Sequence, residues 1–151
     1  MLEILITHPI SDASVTFLRG VSPQCHMTTL PATKPEDISL DVWAKTEILF
    51  TETILPQPEH APKLKWIQFL YSGIDRWVEH PMCQKNGIQL TTLSGAAVSQ
   101  MAEHAVMMML ALGHKLPALM ASQRKSEWPK DRVEKFIPGE IRGATIGIVG
   151  Y

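Results

Sequence analysis

The sequence predicts an α/β protein with a parallel β-sheet that is covered by helices on both faces. Five short apolar runs, each of strand length, are separated by turn signals or by segments with helical start and stop signals. Strands that alternate with helices pair in parallel through right-handed crossovers. The 151 residues, of which 45% are hydrophobic and 19% charged, are enough for a globular core.

The five strands are predicted from buried-type apolar runs. We expect them at residues 2–7, 25–30, 47–51, 65–70 and 88–92. The first run stops before Pro9, and Asn86-Gly87 is a turn signal before the fifth. Prolines at 56, 58 and 62 leave room for only a short helix over residues 59–63.

Two helices between the strands are predicted from their end signals. Ser11 is a candidate N-cap, and Gly20 can close the helix that follows. Thr33 and Glu36 have the spacing of a capping box and open a helix whose apolar residues include Trp43.

The most prominent stretch is a predicted helix over residues 95–112. Its apolar residues recur at three- and four-residue steps, and beyond His104 the opposite face is apolar too. Such a helix needs cover on both sides, from its own domain and from a second body. It is too short to span a bilayer, which takes about 20 residues. A plain core helix accounts for most of this pattern, although its polar first turn could face a cleft.

The sheet also predicts where a ligand binds. In open parallel sheets, ligands lie beyond the carboxyl ends of the strands. That rule selects three loops here, which follow Thr7, follow Thr51 and comprise residues 71–75.

The composition changes after the long helix. Residues 122–142 are rich in charge and carry the isolated aromatic residues Trp128 and Phe136. This stretch is a charged surface excursion or an arm that packs on another subunit. Residues 145–149 are predicted to form a buried strand, and Gly150 could be the first glycine of a dinucleotide-binding turn. Because no helix follows this apolar strand to cover it, we expect the chain to be the N-terminal part of a longer protein.

Several functions have no support in the sequence. The formal charge of −1 gives no field for nucleic acid or acidic lipid. No signal peptide is recognisable, and two cysteines suit reduced thiols in a cytoplasmic protein. His104 and His114 lie about 80° apart around a helix, so they do not form a metal-binding pair. No Gly-x-Ser-x-Gly motif of a nucleophilic hydrolase occurs.

Four segments together resemble one family. They are Ala-Pro-Lys-Leu-Lys-Trp-Ile-Gln at 61–68, Gly-Ile-Asp at 73–75, Gly95 followed by Met-Ala-Glu-His at 101–104, and Ile-Arg-Gly-Ala-Thr-Ile-Gly-Ile-Val-Gly at 141–150. In this order and spacing they are similar to the D-isomer-specific 2-hydroxyacid dehydrogenases. The resemblance runs from about Glu47 to the last residue.

The resemblance implies a two-domain, NAD- or NADP-dependent oxidoreductase that interconverts 2-oxo and D-2-hydroxy acids. Residues 1–95 would form a flavodoxin-like substrate domain, 96–142 a bridging helix and dimerisation arm, and 143–151 the first strand of a Rossmann domain. A homodimer would form through the 98–112 helix and the 122–142 arm. The small acid is the expected ligand, with no nucleic acid, membrane or metal.

The resemblance also implies roles for individual residues. Backbone amides of Tyr71, Ser72 and Gly73 would bind the substrate carboxylate, as expected of an anion-binding turn. Gln100 and Met101 would lie against the nicotinamide, and Gly150 would begin the pyrophosphate loop. Glu103 and His104 match the family as structural residues.

The family's catalytic arginine, carboxylate and histidine would all follow this chain, and none of its six histidines matches that role. The chain alone is therefore expected to be inactive. Ala97 replaces an asparagine of the formate-oxidising branch, which argues against formate as the substrate.

Two other interpretations compete with the dehydrogenase. One is a non-enzymatic relative that senses NAD(H) or dimerises as a binding module; an intact downstream glycine loop and catalytic set would exclude it. The other is a separate flavodoxin-like or receiver-like domain over residues 1–92. A receiver needs clustered acidic residues after the first and third strands, where this chain has His8-Pro9 and only Glu52.

Overall fold

The structure is a computed structural model that describes residues 1–149. The chain divides into two compact units, Met1–Ala96 and Ala97–Tyr151, which are described separately.

The first unit contains five strands and three helices. They are β1 (Leu2–Ile6), α1 (Asp12–Arg19), β2 (Cys25–Thr29), α2 (Leu40–Lys45), β3 (Ile48–Thr51), β4 (Trp66–Phe69), α3 (Pro81–Gln84) and β5 (Gln89–Thr91). All four strand pairs are parallel, and the order is β2-β1-β3-β4-β5. This is the flavodoxin-like order. The predicted α/β class, its parallel sheet and all five strands are confirmed.

The alternation of side chains along the strands gives the sheet two different faces. Leu5, Leu49 and Ile67 are register neighbours on one face and are buried against Trp43 of α2 and Met82 of α3. Helix α1 lies over the other face. There an apolar groove of about 1150 Å³ remains open, and it is lined by the alternate strand residues and by α1. Helices therefore lie on both faces, but only one face is fully packed.

The predicted start of α1 is confirmed, because the Ser11 hydroxyl accepts a hydrogen bond from the Ser14 N–H at 3.1 Å. The capping box at Thr33 and Glu36 is wrong by one residue. The carboxylate of Asp37 accepts from the N–H groups of Thr33 and Lys34, both at 3.0 Å. It thereby closes a single 3₁₀ turn over Pro35–Asp37, and α2 follows.

No helix forms over residues 59–63, so that prediction is wrong. Turns occupy residues 58–60 and 62–63 instead. The physical reason is that Pro62 lies inside this short segment and has no N–H to donate to the carbonyl of residue 58.

The second unit is helical, with α4 (Val98–Gly113), α5 (Leu116–Arg124) and α6 (Arg132–Phe136). Helices α4 and α5 meet at 66°, and Lys115 between them adopts a left-handed conformation with φ 55°. The N–H of Gly139 donates to the carbonyl of Gly113 at 2.8 Å and ties the following segment to the end of α4. The helix predicted over residues 95–112 is confirmed, and it begins at Val98 and ends at Gly113. None of its residues is buried.

The charged stretch over residues 122–142 is more regular than expected, since it contains the end of α5 and all of α6. Trp128 is 75% exposed, and the Arg132 guanidinium lies 5.3 Å from its ring centre. Residues 144–148 are exposed and form no strand, contrary to the prediction for 145–149. A parallel strand needs a hydrogen-bonded neighbour, and no described segment pairs with this one. Gly150 lies outside the described residues.

Candidate functional site

The three loops at the carboxyl edge of the sheet meet at one side chain, Glu52. His8 follows β1, Glu52 follows β3 and Tyr71 follows β4. The Nδ1 atom of His8 lies 3.2 Å from Oε2 of Glu52, and the Tyr71 hydroxyl donates to Oε1. The rule that ligands lie beyond the carboxyl ends of parallel strands selected these three loops, and the structure brings them together. The rule gave no role to His8 or Glu52.

A buried turn after β3 fixes the position of Glu52. The hydroxyl of Thr51, which is fully buried, donates to the carbonyl of Ile54 at 3.1 Å and accepts from its N–H at 3.0 Å. The Thr7 hydroxyl donates to the hydroxyl oxygen of Thr51 at 2.8 Å, and this bond joins the ends of β1 and β3. All the hydrogen-bonding capacity of the Thr51 hydroxyl is therefore used inside the protein.

The charge states in this cluster follow from its hydrogen bonds. The bond from Tyr71 lowers the pKa of Glu52, and the neighbouring His8 adds a smaller effect in the same direction. The same bond raises the pKa of Tyr71, because it favours the neutral phenol. At neutral pH the cluster holds an ionised carboxylate and a protonated tyrosine.

A cavity of about 600 Å³ opens beside Glu52, at the ends of β1, β2 and β3. It lies where the strand order reverses between β1 and β3, which is the usual ligand position in this fold. Residues 7–9, 31–33, 37 and 52–54 line it. Asp37 there is held by its bonds to the backbone of Thr33 and Lys34, which lower its pKa.

The Tyr71-Ser72-Gly73 loop is exposed beside this cluster. The loop is anchored at its first residue, because the carbonyl of Tyr71 accepts a hydrogen bond from the Leu93 N–H at 3.0 Å. Within residues 1–149, the N–H groups of Tyr71, Ser72 and Gly73 donate to no protein acceptor. Three consecutive amides are therefore available to an anion.

Gly73 is not required by the backbone of this loop. Its φ is outside the left-handed range, and an added Cβ would meet only Oδ2 of Asp75, at 3.4 Å. The ring of Tyr71 stacks on Trp77 with centroids 6.1 Å apart, which holds the loop from the side. The backbone therefore tolerates a side chain at this position, and the glycine leaves the space beside the three amides open.

The predicted cofactor residues lie in the second unit. Gln100 and Met101 are in the first turn of α4, where Met101 is 70% exposed. Gly150 is outside the described residues, so the structure gives no test of its role. The described residues contain no group of three or more His, Cys, Asp or Glu side chains that could hold a metal ion. Among those residues no single helix is long and apolar enough to cross a membrane; α4 and α5 would reach that length only together.

Comparison with known proteins supports the resemblance found in the sequence. No family model matches the chain. A D-3-phosphoglycerate dehydrogenase of Archaeoglobus fulgidus is 26% identical over 99% of this chain. A glyoxylate reductase of Thermofilum pendens is 33% identical over 60% of the chain. The chain spans 28% and 26% of the length of these two relatives.

Solved structures agree in fold. The crystal structure of a D-lactate dehydrogenase from Aquifex aeolicus, complexed with NAD and lactic acid, matches with a TM-score of 0.67 at 19% identity. The match covers 92% of this chain and 41% of that one. The similarity of this chain to the D-2-hydroxyacid dehydrogenase family is thereby confirmed.

Proposed function

We propose that this chain is the substrate-binding part of an NAD- or NADP-dependent oxidoreductase that interconverts 2-oxo acids and D-2-hydroxy acids. The observation that carries the proposal is the set of three free, consecutive amides in the 71–73 loop, at the ligand edge of the sheet. The names of the relatives, which are dehydrogenases and a reductase of such acids, supply the reaction class.

The chain's own contribution is to bind and orient the acid. The amides of Tyr71, Ser72 and Gly73 hold the carboxylate, since a negative ion gains hydrogen bonds from donors that have no partner in the protein. The bond from Tyr71 to Glu52 and the stacking on Trp77 keep the loop in place. With the carboxylate fixed, the neighbouring carbonyl carbon is held in one orientation.

The nicotinamide cofactor supplies or accepts the hydride when it is bound. Gln100 and Met101 would hold its ring, because both side chains are exposed at the start of α4. The arginine, carboxylate and histidine that polarise the carbonyl and move the hydroxyl proton would come from beyond residue 151.

The apolar surface of α4 favours a homodimer. Large apolar side chains such as Met107, Met108 and Leu112 are exposed along the helix, and Trp128 is exposed in the following arm. A second copy that covers the 98–112 helix and the 122–142 arm would remove this surface from water. We place the protein in the cytoplasm, where its two free cysteines suit a reducing compartment.

We also propose the domain division of residues 1–95, 96–142 and 143–151. The clustering of the chain into two units near residue 96 supports the first boundary. Residues 143–151 would then belong to the cofactor domain.

The test is oxidation of NADH and NADPH by the longest product of the gene, with glyoxylate, hydroxypyruvate, pyruvate and larger 2-oxo acids. The 151-residue chain is assayed beside it and should not turn over. Turnover by the 151-residue chain alone would contradict the proposal that this chain only binds the acid and that the catalytic residues lie outside it. No turnover by the long form, with NADH still bound, would favour the non-enzymatic sensing protein instead.

A further inference from the structure

We propose that Glu52 determines specificity by excluding 2-oxo acids that carry a second negative charge. The substrate class is then a 2-oxo acid with a small, uncharged side chain. This inference rests on the proposed function, because it takes the 71–73 loop as the site of the substrate carboxylate.

The position of Glu52 places its charge next to the bound acid. Its carboxylate accepts directly from Tyr71, which begins the proposed carboxylate loop, and its side chain remains 40% exposed. Glu52 also lines the cavity of about 600 Å³. A side chain of the acid that extends from the loop into this cavity must pass the Glu52 carboxylate.

The other charges of the cavity act in the same direction. Asp37 and Glu52 are the acidic residues that line it, and no lysine or arginine does so among the described residues. His8 lines it as well, but its Nδ1 faces Glu52. Arg76, which acts on the Tyr71 hydroxyl, is not part of the lining. A second anion would therefore meet two carboxylates and no lysine or arginine in the lining, which disfavours its binding.

This charge pattern separates the chain from some of its relatives. The D-3-phosphoglycerate dehydrogenases act, by their name, on an acid with a phosphate group. Glyoxylate, the substrate in the name of another relative, has no side chain at all. The cavity beside Glu52 fits the second kind of acid better than the first.

The test compares two acids with the same carbon chain, 2-oxopentanoate with one charge and 2-oxoglutarate with two. The ratio of their kcat/KM values is measured with the longest product of the gene. Wild type should prefer 2-oxopentanoate, and Glu52→Gln should shift the ratio toward 2-oxoglutarate about tenfold, or about 1.4 kcal/mol. This is the size expected for two unit charges about 6 Å apart near a surface, after salt screening. Added salt should weaken the wild-type preference.

Two controls separate charge from positioning. Tyr71→Phe removes the hydrogen bond but keeps the carboxylate, so it should affect both acids and leave their ratio nearly unchanged. Glu59→Gln removes an equal charge from the connection between β3 and β4, outside the cavity lining, and should leave the ratio at the wild-type value. A ratio that shifts equally in Glu59→Gln and Glu52→Gln would overturn the inference.

Calorimetric binding of the same two acids distinguishes this inference from the proposed function. Tighter binding of 2-oxopentanoate that depends on Glu52 supports the inference even if no acid is turned over, and in that case the proposed function fails. Equal turnover of both acids by wild type overturns the inference and leaves the proposed function standing. Binding of neither acid overturns the inference.

Discussion

Thr51→Val removes one hydroxyl from the turn that carries Glu52, and it should destabilise the first unit by about 2 kcal/mol. Valine has nearly the same shape as threonine, so no cavity forms. The change leaves the N–H and the carbonyl of Ile54, a buried residue, without their partner. Thr7 loses less, because its hydroxyl can turn to the Phe50 carbonyl at 3.4 Å.

The magnitude follows from these lost bonds. A buried backbone group without a partner costs about 1–3 kcal/mol, so two of them would cost roughly 2–6 kcal/mol in a dry interior. Ile54 also lines the cavity beside Glu52, from which water can reach the freed groups. The cost should therefore lie near the lower limit of that range.

Urea unfolding followed by tryptophan fluorescence measures the loss. The midpoint should fall while the slope with urea stays the same, because the folded state keeps its compactness. Thr28→Val is the matched control, since Thr28 is a half-buried strand residue whose hydroxyl has no hydrogen-bond partner among the described residues. It should change stability by less than about 0.5 kcal/mol. An equally small change in Thr51→Val would refute the argument that this hydroxyl organises the turn.

Three further predictions concern the loop, the partly buried His80 and the long helix. Gly73→Ala should leave urea stability equal or slightly higher, because its φ permits a side chain. It should nevertheless raise KM for 2-oxo acids about tenfold by crowding the amides, and an unchanged KM would contradict the carboxylate site. Burial lowers the pKa of His80 below its usual 6.5, so its contribution to stability is full above that pH and is lost as the pH falls through the lowered pKa. His80→Asn keeps an acceptor for the Met82 N–H but does not titrate. Urea unfolding should therefore show a smaller fall in its unfolding free energy between pH 7.5 and 5.5 than in that of wild type. If the protein forms the proposed dimer, Met107→Glu should shift its sedimentation toward the monomer, because Met107 is exposed on α4. An unchanged dimer would exclude this face of α4 from the interface.

The strands could be predicted because each is an apolar run with a clear end signal, and because parallel pairing requires burial on both sides. Leu49, for example, lies in a short apolar run of strand length that is bounded by Glu47 and Thr51. The cap at Asp37 was missed because Thr33 and Glu36 fit the capping-box spacing equally well in sequence. Which carboxylate accepts the bonds depends on a 3₁₀ turn that spacing alone does not reveal.

The exposed state of α4 shows a second limit of sequence reasoning. The all-round apolar pattern correctly indicated a helix, and it also predicted cover from outside the helix's own segment. It could not say which body provides that cover, and within the described residues the helix has no buried residue. The pattern therefore predicts that a second body covers the helix, but it does not identify that body.

The candidate site was only half predictable for a related reason. The strand-end rule identifies loops, but the contact between Glu52 and Tyr71 joins residues 19 positions apart through side chains whose directions the rule does not give. The Thr51 turn supplies the missing geometry, because it fixes the backbone next to Glu52. If Thr51→Val weakens both stability and the preference for singly charged acids, while Thr28→Val changes neither, the same buried hydroxyl organises the fold of this loop and its selectivity. A loss of stability alone would mean that Tyr71 and His8 are sufficient to hold the carboxylate in place.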